Sequence, residues 1–127
     1  MITGVVTARR EAVVPLEVLS PHDASRTLDA VIDTGFNGFV ALPAEVISSL
    51  GFARRGSAVA TLGDGSEVSL PLYRAQIRWD GQVKRAETFS ADGAAMIGMT
   101  LLNGFDLFIE VERGGRVVIE RRRKQSV

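Results

Sequence analysis

The chain has 127 residues, and 15 lysines and arginines balance 15 aspartates and glutamates, so its formal net charge is zero. That balance excludes the basic excess of a general nucleic-acid binder, and the length fits one domain able to bury roughly two-thirds of its unfolded surface. With no cysteine and one histidine, there is no disulfide framework, no thiol chemistry and no histidine-cluster metal site.

The first four residues, Met1-Ile2-Thr3-Gly4, lack the charged start of a secretion signal, and no apolar run reaches the length of a membrane span. The expectation is a cytoplasmic chain, a single domain over residues 1–127, with no cofactor, no metal, and neither nucleic acid nor membrane as partner. Val5 to Ala8 and Val13 to Leu19 are β-prone runs around Arg9-Arg10-Glu11 and read as a hairpin, with Pro15 marking an edge or bulge. His22, the sole base for any Ser-His-Asp arrangement, sits in the turn-like run Ser20–Ser25 and reads as a solvated loop residue. Leu28, Ala30 and Ile32 then alternate with polar or opposite-face residues, as a half-buried strand does. Pro43, Glu45 and Gly51 frame a short helix over about 43–50, with proline at its first position and glycine past its end. Val46, Ile47 and Leu50 give that helix one apolar face.

The second half is hairpin-rich. Val59–Leu62 and Ser66–Leu70 flank Gly63-Asp64-Gly65, a strong turn signal. Tyr73 to Trp79 alternate as a further strand, Asp80-Gly81 turns, and Val83 to Phe89 returns. Ala95 to Met99 reads as a short buried strand, residues 100–104 as a helical turn, and Leu107–Val111 pairs with Arg116–Glu120 around Gly114-Gly115. Residues 121–127 begin with Arg121-Arg122-Arg123-Lys124 and read as a basic, solvated tail. The fold class is therefore mostly β with two short helices.

One stretch organises the rest: Ala30-Val31-Ile32-Asp33-Thr34-Gly35-Phe36-Asn37-Gly38-Phe39-Val40-Ala41-Leu42. Two apolar runs flank a polar centre whose glycines allow a sharp turn, and the turn carries a single carboxylate. A carboxylate brought into apolar surroundings needs donors, a partner or a chemical role. Satisfying its own turn is the bland alternative, and the Asp-Thr-Gly triplet alone does not decide between them.

Three separated features give a resemblance. Val31-Ile32-Asp33-Thr34-Gly35, the hairpin tip Gly63-Asp64-Gly65, and Met96-Ile97-Gly98-Met99 ahead of Leu101-Leu102 stand in the order found in the retropepsin-like aspartic peptidases. The chain resembles their small single-domain prokaryotic members from about Val13 to Ile119. The resemblance implies a closed β-barrel of the acid-protease type and an aspartic endopeptidase with Asp33 as the catalytic residue. It further implies that Thr34, Gly35 and Phe36 form the active-site turn, the threonine bracing the same turn of a second subunit. Leu62, Gly63, Asp64 and Gly65 would be the flap over a peptide substrate, and Ile97 and Gly98 would back the loop. Two positions depart from the family pattern. Phe36 replaces a small residue and either narrows the pocket or packs beneath the loop; Asn37 and Met99 replace a charged pair that spans the family's dimer.

The chemistry sets its own requirement. Amide hydrolysis by carboxylates needs one base to activate water and one acid to protonate the carbonyl oxygen or leaving nitrogen. Only Asp33 stands in an Asp-Thr-Gly setting, whereas Asp64 and Asp80 precede glycine and Asp106 opens a strand. The second carboxylate would have to come from another copy across a two-fold axis. The expected partners are thus a second copy and a peptide or protein substrate. Apolar terminal strands, Ile2–Thr7 with Val117–Ile119, would strengthen that dimer. A catalytically weak or inactive retropepsin-like dimer that binds peptides or a partner protein is the alternative.

Overall fold

The computed structural model describes residues 1–123. Its backbone runs β1 (Ile2–Val6), β2 (Ala12–Leu19), β3 (Ser25–Ile32), β4 (Val40–Pro43), α1 (Ala44–Leu50), β5 (Arg54–Thr61), β6 (Glu67–Trp79), β7 (Gln82–Ala91), β8 (Ala95–Ile97), α2 (Met99–Leu102), β9 (Phe105–Ile109) and β10 (Arg116–Arg121).

One sheet carries all ten strands, in the order β5-β6-β7-β4-β8-β3-β2-β1-β10-β9. It closes on itself because β2 also pairs with β6, through Glu17↔Arg78, Val18↔Ile77 and Leu19↔Gln76. The closed part is a six-stranded barrel, β6-β7-β4-β8-β3-β2, whose inward positions follow from strand alternation. On β2, Val14, Leu16 and Val18 are fully buried while Pro15 faces out. On β6, Ala75, Ile77 and Trp79 are buried, and Val40, Leu42 and Ile97 fill the opposite wall. Each fully buried aliphatic side chain contributes about 2 kcal/mol of burial free energy.

The centre of the barrel has a particular weave. The three-residue strand β8 runs parallel to β3, with Ala30↔Ala95, Val31↔Met96 and Ile32↔Ile97 in register. On its other side it runs antiparallel to β4, with Val40↔Ile97 and Ala41↔Met96. The chain therefore leaves β3, passes over the end of β8 and returns along β4. Since neighbouring strands lie about 4.8 Å apart, the connecting loop over residues 33–39 bridges two strand spacings.

Helix α1 starts after Pro43, one residue later than the sequence suggests. It ends on Gly51 at φ 75, whose N–H donates to the Ile47 and Ser48 carbonyls, a left-handed cap that favours glycine. Seven residues make a marginal helix in isolation, and burial of Val46, Ile47 and Leu50 holds it on the barrel. Ser20 donates its hydroxyl to the Leu50 carbonyl and accepts from the His22 N–H, leaving His22 exposed in its loop.

Several expectations shift. The runs Ser66–Leu70 and Tyr73–Trp79 are one thirteen-residue strand, β6. Pro71 does not break it because that half of β6 pairs with β5 alone, and β7 joins only from Leu72 onward. The terminal strands pair within the protomer, Ile2↔Ile119 through Val5↔Arg116, so they do not supply a ready inter-subunit ladder. The free edges of the sheet are β5 and β9. Arg121 is not tail but the last residue of β10, paired with Phe105 and bridged to Asp80 at 2.7 Å. The Arg122 N–H also donates to the Gly104 carbonyl. The rest of the expected tail, residues 124–127, lies outside the described residues. Trp79 packs edge-on to Phe105, with ring centroids 6.0 Å apart, and so ties β9 to the barrel wall.

Candidate active site

Asp33 stands at the tip of the weave. Its N–H donates to the Ile97 carbonyl at 2.9 Å, extending the β3–β8 pairing by one bond, and its carbonyl accepts from the Phe36 N–H at 3.1 Å. The carboxylate is half-buried, and its Oδ1 accepts the Gly35 N–H at 3.0 Å. No ion pair among the described residues involves it. Thr34 and Gly35 are exposed beside it. The carboxylate thus accepts one bond from its own turn and turns the rest of its capacity outward.

The loop is clamped from the other side by β8 and α2. Gly98 donates to the Phe39 carbonyl at 2.9 Å, Met99 to Phe36 at 2.8 Å, and Thr100 to Gly38 at 3.2 Å. The Thr100 hydroxyl donates to the Asn37 carbonyl. The first N–H groups of a helix have no partner inside it, so α2 and the loop satisfy each other: the helix's free donors meet the loop's free carbonyls. Gly98 is required by space. A Cβ there would lie 2.2 Å from the Gly38 carbonyl oxygen and 2.7 Å from the Phe36 ring, while its φ of −102 suits any residue.

Phe36, open in the sequence between two placements, packs beneath the loop. Its ring meets Phe89 edge-on at 6.0 Å and covers Gly38, where a Cβ would come within 2.6 Å of the ring. The structure therefore brings Asp33, Thr34, Gly35, Phe36, Ile97 and Gly98 together in one clamp. Thr100 and Asn37 belong to it as well, and sequence reasoning missed the threonine. The signal available was a hydroxyl two residues past the Ile-Gly pair, on a helix too short to supply its own caps.

Leu62, Gly63, Asp64 and Gly65 form the tip of the β5–β6 hairpin, closed by Thr61↔Glu67. Asp64 Oδ1 accepts both the N–H and the hydroxyl of Ser66, and these bonds hold its carboxyl below the usual 3.8. The Leu62 N–H donates to Ser66 and the Gly65 N–H to Leu62. Space beside Gly63 and Gly65 is open, and Leu62 is exposed. The tip is internally stiff and stands free of the barrel; no hydrogen bond among the described residues joins it to Asp33.

No protein-family model matches the chain, and no curated protein sequence does either. Among solved structures, the chain is similar to a retropepsin-like aspartic protease from Rickettsia conorii, with a TM-score of 0.50 and 14% identity. The match covers 93% of this chain and 90% of that one. At this identity the likeness is one of fold: a closed barrel with two short helices, mostly β, of the retropepsin-like type. Among the described residues no helix is long and apolar enough to cross a membrane.

Proposed function

We propose that the chain is an aspartic endopeptidase that works as a homodimer, with Asp33 and the partner subunit's Asp33 as its catalytic pair. The observation that carries this reading is the Asp33 loop itself. Five hydrogen bonds to residues 97–100 fix it, yet the carboxylate spends only one acceptor position on its own turn. A turn aspartate serving structure alone has no need of such a clamp. Thr34, Gly35 and Asn37 are exposed around it, and Met99 is 46% exposed beside Phe36, which leaves the Asp33 turn accessible to a second copy.

Two carboxyls about 3 Å apart do not both ionise, because like charges so close repel, and aspartic-protease pairs share one proton for this reason. One then accepts a proton from water as its oxygen attacks the scissile carbonyl. The other gives a proton to the carbonyl oxygen, and the leaving nitrogen is protonated as the C–N bond breaks. The substrate would lie extended across both subunits, paired along strand edges, with the Leu62–Gly65 tip closing over it. The likeness to a protease fold and the placement of Asp33 support this reading.

The test is digestion of a peptide library from mildly acidic to neutral pH by wild type and by Asp33→Asn. Cleavage by wild type that is lost in the variant and blocked by a statine-type inhibitor is the expected result. Peptide binding without turnover in both proteins would instead favour a non-cleaving module. Sedimentation adds a second check, since a strict monomer at high concentration removes the pair.

A further inference from the structure

We infer that the chain carries an anion-binding site, separate from Asp33, for a phosphate-bearing small molecule. Three strands and the end of α1 enclose an open concavity of about 270 Å³ whose walls include Arg55, Arg74, Arg85 and Gln76, with Phe52 and Pro21 as an apolar side. The three arginines come from β5, β6 and β7 respectively. None takes part in the ion pairs or side-chain hydrogen bonds found among the described residues, whereas Arg26, Arg78, Arg116, Arg121 and Arg122 each meet a carboxylate. Three guanidiniums that line one concavity with no carboxylate lining it repel one another, and an anion relieves that repulsion.

The backbone explains how they converge. Gln76 and Arg85 are directly opposite in the β6–β7 ladder, and Arg74 lies two residues along the same face. Arg55 reaches the group through a bulge. The register passes from Arg54↔Tyr73 to Gly56↔Leu72, which leaves Arg55 unpaired, and Gly56 takes φ 130 to allow it. A bulge re-aims a side chain in this way. Glu87, in register with Arg74, is the nearest carboxylate on the ladder, yet it forms no ion pair with it and does not line the concavity.

The donor set selects the ligand. Guanidiniums present planar forks that match phosphate oxygens in pairs, and the Gln76 amide adds a neutral donor. The volume exceeds what a lone phosphate fills, and Phe52 and Pro21 supply a wall for an apolar or planar portion. A nucleotide and a free oligophosphate share this chemistry. Either would tie β5 to β7 across β6.

The experiment is calorimetric titration of the full chain with inorganic pyrophosphate and, separately, with magnesium-free ATP. Expected are saturable binding of both and a loss of roughly tenfold or more in affinity for Arg74→Gln and Arg85→Gln, the effect of deleting one charge-assisted donor group. Arg9→Gln, in the distant β1–β2 turn, leaves affinity unchanged. ATP binding tighter than pyrophosphate, with the gain lost in Phe52→Ala, assigns the site to nucleotides; equal affinities assign it to the phosphate chain alone. The substituted arginines are exposed, so the variants keep the wild-type thermal midpoint. Absence of saturable binding to either probe, or equal weakening by Arg9→Gln, overturns the inference.

Discussion

At the scale of single residues, the clamp around Asp33 makes the sharpest demands. Gly98→Ala places a methyl 2.2 Å from the Gly38 carbonyl oxygen, which accepts from the Thr100 N–H of α2. The expected cost is about 1–3 kcal/mol, the usual penalty for overpacking, read from urea unfolding, together with loss of any peptidase activity. Gly65→Ala is the useful contrast. Its Cβ meets nothing, but φ of 85 is left-handed, so about 1 kcal/mol is lost through backbone strain alone. Phe36→Ala removes an edge-on contact and part of the floor under the loop, and about 2 kcal/mol is expected because the ring is only half-buried. The place of that ring was not legible in the sequence, since its partner Phe89 lies on β7, far along the chain. Asp33 and its turn were legible, because apolar runs, a carboxylate and glycines stand side by side.

Among the elements, surface ion pairs at the two ends of β10 give stability a pH dependence. The Met1 α-ammonium at 2.8 Å and then Arg121 at 2.7 Å hold the Asp80 carboxyl below its usual 3.8. Arg116 does the same for Glu110, below 4.5, by donating from its side chain and its backbone. A carboxylate depressed in the folded state stabilises the fold above its ordinary value, and that stabilisation fades as pH falls through the lower, folded value. Acid unfolding is therefore expected to steepen below about those two values, with a shallower slope in Asp80→Asn when unfolding free energy is followed against pH. The pairs are surface pairs, so the effect on stability at neutral pH is small. The sequence made α1 legible through Pro43 and Gly51, which act locally. It hid the unbroken course of β6, because Pro71 is tolerated only where the strand has one neighbour. It also hid the inclusion of Arg121 in β10, where cross-strand pairing with Phe105 outweighs the look of a charged run.

For the whole molecule, closure of the barrel is the property on which the rest depends. Leu16 on β2 is fully buried where one edge of β2 stays on β3 and the other passes from β1 to β6, and Leu16→Ala is expected to cost about 2–5 kcal/mol in urea unfolding. A cost under 1 kcal/mol would mean that the barrel closes less tightly than β2's pairing implies. Closure is a long-range outcome: sequence patterning yielded the strands and their local hairpins but not the pairing of β2 with β6, and only the resemblance to retropepsin-like chains implied a barrel. The same view bears on the proposed dimer. The terminal strands are used within the protomer, so the proposed dimer would gather around the exposed rim of the Asp33 loop, with Met99 at its margin.

That proposal is tested most directly by mixing wild type with Asp33→Asn subunits, after exchange, and following cleavage of a peptide found in the library digestion. If the catalytic pair is shared between subunits, activity falls with the square of the wild-type fraction, because a mixed dimer has lost half of its acid–base pair. A linear fall, cleavage by the Asp33→Asn protein alone, or no cleavable peptide for wild type at any pH would contradict it.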